Sequence, residues 1–186
     1  MSATIASRAL GARAGLPAQI GLAVAGSLML AISAQMKVQL GPVPFSFQTL
    51  VLLLIAAGYG RNLAVGTVLL YFAEGLVGLP VFAVPPGPAA FVGPTAGFLA
   101  GFLVCAAIVG EAADRGRDRS ALTLAPAMLV GTVALFAIGW AWLAFGFGIG
   151  AGRAWAAGVQ PFIIGDLVKI AIASLAIPAG WALLRR

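Results

Sequence analysis

Long apolar runs separated by short breaks organise this chain. They cover roughly Pro17–Gln35, Phe45–Gly60, Asn62–Leu79, Gly93–Ala113, Ala121–Ala144 and Val159–Leu183. An α-helix rises 1.5 Å per residue, so about 17–25 residues cross the hydrocarbon of a bilayer. Several of the runs have that length, and the pattern predicts six spans. The second run is the shortest, and "GYGRNL" separates it from the third. The glycines there favour a tight turn between two helices over one long helix. The first run follows Arg8 and Arg13 but is longer than the roughly 7–15 residue apolar stretch of a cleaved signal. It is therefore expected to be the first spanning helix. The expectation is an all-α integral membrane protein, a compact bundle of six transmembrane helices forming one membrane domain over residues 1–186, with both termini cytoplasmic.

Composition strengthens this picture. Of the 186 residues, 62% are hydrophobic and only 9% charged, against about 25% charged in ordinary soluble domains. The net charge of +6 is explained by topology. With six spans, the inner side receives Arg8, Arg13, Arg61, Arg115, Arg117, Arg119, Arg185 and Arg186, while the outer loops receive Lys37 and Arg153. This is the positive-inside distribution of a protein of the cell membrane, and the basic residues form no stripe suited to nucleic acid. The outer connections "MKVQLGPVPFS", "PVFAVPPGPAAFV" and "GFGIGAGRAWAAGVQ" are rich in Pro and Gly yet apolar. Irregular backbone at that depth needs protein or water partners, which suggests a packed lid over a cavity opening outward.

Several chemistries are absent. There is no histidine, so the commonest general base and metal ligand are missing. Cys105 is single and reads as a small buried hydrophobe. No G-x-x-x-x-G-K-[ST] loop is present, so the chain does not bind ATP in that manner. No H-E-x-x-H and no G-x-S-x-G in a suitable context occurs. A transport or binding role is favoured over an enzyme, and no cofactor or metal is expected.

Against this background "PFIIGDLVKIAIASLAIPAGWALL" stands out, because Asp166 and Lys169 lie in an otherwise apolar run. Three residues apart, they share a helix face, about 9 and 13 Å below an outer boundary near Gln160. A charge at the bilayer centre costs at least about 2.5 kcal/mol, so both should face protein or a polar cavity. They could neutralise each other as a structural pair. Alternatively Lys169 offers a cation to an acidic solute while Asp166 accepts hydrogen bonds from its donors. Glu74 is the other intramembrane acid, either a wall of the site or an interfacial anchor. Gln35, Gln39, Ser46, Gln48 and Thr49 cluster about the first outer loop and could hydrogen-bond a neutral part of a ligand. Phe82 and Phe98, with other outer-half aromatics, could pack its apolar surface. Ala23, Ser27 and Ala31 place small side chains on one face of the first helix. Such a row permits close helix packing, either within the bundle or against another membrane subunit.

Four stretches carry a family resemblance: "AQMKVQLGPVPFSFQTLVLLL", "GLPVFA" at 78–83, "GPTAGFLAGF" at 93–102 and "PFIIGDLVK" at 161–169. In this order and spacing the chain resembles the BioY family, the biotin-binding membrane subunits of energy-coupling-factor transporters. Ser46 stands where the family usually has Thr, "GPTAGF" where it commonly has "GPTGGY", and Glu74 where a neutral residue is frequent. The resemblance implies a six-helix subunit that captures biotin from outside. In it Lys169 would meet the valerate carboxylate and Asp166 the polar end of the site. It also implies a transmembrane coupling protein and two ABC-type ATPases as partners, with the small-residue face of helix one as the docking surface. Uptake of another small acidic vitamin is the alternative within the same class, and a structural membrane subunit or a membrane enzyme using Asp166 as acid or base is the alternative outside it.

Overall fold

The computed structural model describes Thr4, Ile5, residues 15–85 and residues 87–184. Arg8, Arg13, Arg185 and Arg186, used above for orientation, lie outside the described residues. The helices in chain order are α1 (Leu16–Gln35), α2 (Gln48–Tyr59), α3 (Arg61–Leu76), α4 (Ala96–Asp114), α5 (Ala121–Ala141), α6 (Ala151–Gly158) and α7 (Ile163–Leu184). The expected six-helix bundle is formed by α1–α5 and α7. Four segments among the described residues are long and apolar enough to cross a membrane: 16–35, 96–114, 121–146 and 151–183. By contrast α2 has 12 residues and α3 has 16, or about 18 and 24 Å. They join at Gly60, whose φ of 80° is a left-handed conformation that side chains with a Cβ rarely adopt. This is the tight turn expected in "GYGRNL".

Two outer features differ from the expected loops. Residues 37–46 form an antiparallel hairpin of β1 (Lys37–Gln39) and β2 (Pro44–Ser46), with Lys37 opposite Ser46. The amphipathic α6 lies in the outer connection between α5 and α7. Each lets irregular or edge backbone at the membrane surface satisfy its own polar groups.

Helix α4 is the hub. It packs against α2, α3 and α5, and 67% of its most apolar window is buried, against 22% for α1. The exposed residues of α1 include Ile20, Val24, Leu28 and Ile32, an apolar surface suited to lipid. Ser27 points the other way and is fully buried. It donates to Glu74 Oε1 on α3 at 2.8 Å, and the flanking Ala23 and Ala31 are half-buried. The small-residue row therefore seats α1 against the bundle.

At the inner end, Arg61 opens α3 beside the end of α4. Its backbone N–H donates to Asp114 and its guanidinium pairs with Glu111 at 3.4 Å. The turn after α4 carries Asp118, which has no exposed surface. Trp181 Nε1 on α7 donates to its Oδ2 at 2.6 Å, and Arg119 stacks over the Trp181 ring at 4.2 Å. The α4–α5 turn and the end of α7 are thus fastened together. Burial raises the Asp118 carboxyl above its ordinary value, while the Trp181 hydrogen bond and the Arg119 charge oppose the shift and Asp114 adds to it.

A group whose folded pKa is raised in this way binds its proton more tightly when folded. Its contribution to stability therefore falls as pH rises from the ordinary value near 3.8 through the raised one. Trp181→Phe removes the donor that makes the charged form tolerable. The variant should lose on the order of 1 kcal/mol at neutral pH. The loss should shrink on acidification, once the carboxyl is protonated. Thermal melts in detergent across this range check the prediction, and an equal deficit at every pH would contradict it.

Candidate ligand-binding site

The outer ends of the helices line a cavity that opens outward. The hairpin contributes Val43, Pro44 and Ser46, and the first turn of α2 contributes Gln48 and Thr49. Tyr71 comes from α3, and Ala83 and Val84 from the loop that follows it. Thr95 precedes α4, which supplies Phe98, Leu99 and Phe102; Leu135 and Phe136 come from α5. Phe162, Asp166 and Lys169 complete the wall.

Asp166 and Lys169 are 3% and 5% exposed and form the polar floor. Asp166 lies in the first turn of α7, where the helix dipole favours a carboxylate. Lys169 Nζ lies 2.8 Å from each of three oxygens: the Ser46 carbonyl, Thr49 Oγ1 and Asp166 Oδ1. The Thr49 hydroxyl in turn donates to Oδ1 at 2.6 Å. The Phe45 ring covers the ammonium at 4.3 Å, a favourable cation–π placement. An ammonium has three N–H donors, and all three are engaged. The unfilled capacity lies elsewhere: Asp166 Oδ2 and Thr95 Oγ1 are buried without a partner. Asp166 Oδ2 can only accept, and Thr95 can donate or accept.

A second chain of bonds fixes the adjoining wall. Ser46 Oγ donates to Gln48 Oε1 at 3.1 Å, Gln48 Nε2 to the Tyr71 hydroxyl at 2.8 Å, and that hydroxyl to the Val81 carbonyl at 2.9 Å. It links the first turn of α2 to the loop over the cavity. Gln35 holds the same loop through the Pro80 and Phe82 carbonyls, both at 3.1 Å. Lys37 Nζ holds it through the Ala83 carbonyl at 2.5 Å. Beneath the loop Phe72, Phe82 and Phe91 pack edge to face, a stable aromatic arrangement.

Of the residues expected at the site, Asp166, Lys169, Gln48, Thr49 and Phe98 line the cavity. Phe82 and Gln35 stand behind it, one as packing under the loop and one as its tether. Glu74 does not line it; the carboxylate faces α1 and accepts from Ser27. That bond partners one oxygen of the carboxylate, Oε2 being buried without a donor, and it explains why Ser27 turns inward. Phe45, Thr95, Leu135 and Phe136 were not expected at the site. The first lies in a hairpin, where no helical spacing could indicate it. The last two lie in a run of α5 with no charged residue to mark it.

The family model described as BioY family matches residues 3–186. The biotin transporter BioY of Thermotoga maritima is 34% identical over 148 residues, covering 79% of this chain and 86% of that protein. The biotin transporter BioY of Rhodobacter capsulatus is 38% identical over 169 residues, covering 84% and 87%. The fold is similar to a crystal structure of the S-component for biotin from an ECF-type ABC transporter. The TM-score is 0.78 with 20% identity, over 87% of this chain and 89% of that one. Apolar helices of spanning length, the bundle and the near-complete family match agree: this multi-pass protein of the cell membrane belongs to the BioY family.

Proposed function

We propose that this chain captures biotin at the outer face of the membrane and delivers it as the S-component of an ECF-type transporter. The observation that carries this reading is the floor of the cavity, where one buried carboxylate oxygen has no donor. Biotin brings a ureido ring with N–H donors and a carbonyl acceptor, fused to an apolar thioether ring. An N–H of that ring supplies the hydrogen bond Asp166 Oδ2 lacks, and Lys169, with its three donors engaged, holds that carboxylate in place. The apolar part of the ligand packs on Phe98, Phe102, Leu135 and Phe136. The names of the relatives support the same ligand.

The chain has no P-loop of its own, so ATP hydrolysis is assigned to partners: a transmembrane coupling protein and two ABC-type ATPases. Ser27 is occupied by Glu74. The coupling protein therefore meets α1 on its exposed row of Ile20, Val24, Leu28 and Ile32 rather than on Ser27.

Calorimetric titration of biotin into the detergent-purified protein tests the reading. Binding is expected with a Kd of about 1 μM or tighter, that is, about 8 kcal/mol or more. Absence of heat, together with failure of unlabelled biotin to displace another small acidic vitamin, would assign the cavity to a different ligand.

A further inference from the structure

The floor of the cavity is poorly suited to the acid group of its ligand. Lys169 is already neutralised by Asp166 at 2.8 Å and has all three donors engaged. A second carboxylate placed there would bring a net negative charge into a buried site, which is costly without a free cation. The rim offers one. Lys37 stands in β1 opposite Ser46, a residue of the cavity wall. Its ammonium reaches the Ala83 carbonyl on the other side, and Ala83 also lines the cavity. The side chain therefore runs from the hairpin to the outer loop along the cavity mouth. Lys37 is exposed, and among the described residues its ammonium makes one hydrogen bond, so N–H donors remain to face a ligand. Neither Lys37 nor Arg153, the other cation of the outer connections, lines the cavity itself, but Lys37 bonds one lining residue, Ala83, and pairs across the hairpin with another, Ser46.

Resting on the biotin reading above, we infer that Lys37 is a specificity-determining residue that pairs with the ligand's carboxylate at the cavity mouth. Biotin then enters ring-first, with its ureido group on the Asp166 floor and its acid chain pointing outward. The same ammonium holds the Ala83 carbonyl, so a ligand carboxylate at the rim also ties the hairpin to the loop and closes the mouth over the ring. Selection for an acid over a neutral analogue is thereby made at the rim and not by the buried ion pair.

The test compares biotin with biotinamide, which is nearly isosteric but uncharged, on wild type, Lys37→Gln and Lys37→Arg. Wild type should prefer biotin by about tenfold or more, the scale of one well-placed charged pair. Lys37→Gln should reduce that preference to less than about threefold, and a melting temperature near that of wild type shows that the variant is folded. Lys37→Arg should keep most of the preference. If Lys37→Gln weakens both ligands equally, Lys37 only fastens the loop and the inference is overturned, with the biotin reading intact. Equal binding of the two ligands by wild type overturns it as well. Binding of neither ligand by folded wild type removes the biotin reading and this inference with it.

Discussion

Lys169→Ala should bind biotin at least about thirtyfold more weakly than wild type, a loss of about 2 kcal/mol or more. The same substitution should also destabilise the unliganded protein. In the native site the ammonium supplies a donor to the Ser46 carbonyl, to Thr49 and to Asp166 Oδ1. Without it a carboxylate 3% exposed keeps one hydroxyl donor on Oδ1 and none on Oδ2. Stranding one partner of a buried ion pair typically costs about 3–5 kcal/mol. The double variant Asp166→Ala/Lys169→Ala separates the two effects. With no charge left to strand, its melting temperature should lie above that of Lys169→Ala, short of wild type by the cost of the space the two truncations leave. Its affinity should not return, since Asp166 Oδ2 is gone. Melts and titrations on the single and double variants form one cycle. A double variant that binds biotin as tightly as wild type would reduce the pair to a structural device. Equal affinity of Lys169→Ala and wild type would remove Lys169 from the site.

What the sequence could reveal here follows from what the bilayer requires. Lipid obliges spanning backbone to satisfy itself locally, so apolar runs of the right length had to be helices, and Gly60 had to mark the turn between the two shorter ones. Asp166 and Lys169 were legible for the same reason: charges in such a run need a polar partner, and three-residue spacing puts them together. The hairpin at 37–46 was not legible, because its pairing depends on the chain folding back and not on any run of its own. The row Ala23, Ser27 and Ala31 shows a different limit. Spacing identifies a face of α1, but only contact with Glu74 says that this face meets α3. Glu74 itself was equally open between site and interface until its partner was located, 47 residues earlier in the chain. Thr95 lies within a stretch that marks the family, yet its free hydroxyl is visible only as a buried atom without a partner.

Gly139→Val should disable the site without touching a polar group. Gly139 lies in α5 beneath the ring of Phe98, and a Cβ placed there would come within 2.4 Å of Phe98 Cδ1. No real side chain tolerates that separation, so the ring must move. Gly158 also lies close to the ring, near enough that a Cβ there would come within 3.2 Å of Phe98 Cζ. Phe136 packs on Phe98 edge to face at 6.2 Å. Phe98 forms part of the cavity wall, so a shift of its ring reshapes the cavity. Overpacking of this kind costs about 1–3 kcal/mol. Because the displaced ring reshapes ligand space, most of that cost should appear as lost affinity, roughly tenfold or more for biotin. A compensating Phe98→Leu in the Gly139→Val background should restore part of the binding, since the smaller side chain no longer needs the glycine beneath it. Phe98→Leu alone should weaken binding only mildly, through lost ring contact. The reciprocal pattern, in which the second substitution harms wild type but helps the first variant, is the signature of a shared contact. Additive losses in the double variant would show that Gly139 serves helix packing alone, and that the position of Phe98 does not control the size of the cavity.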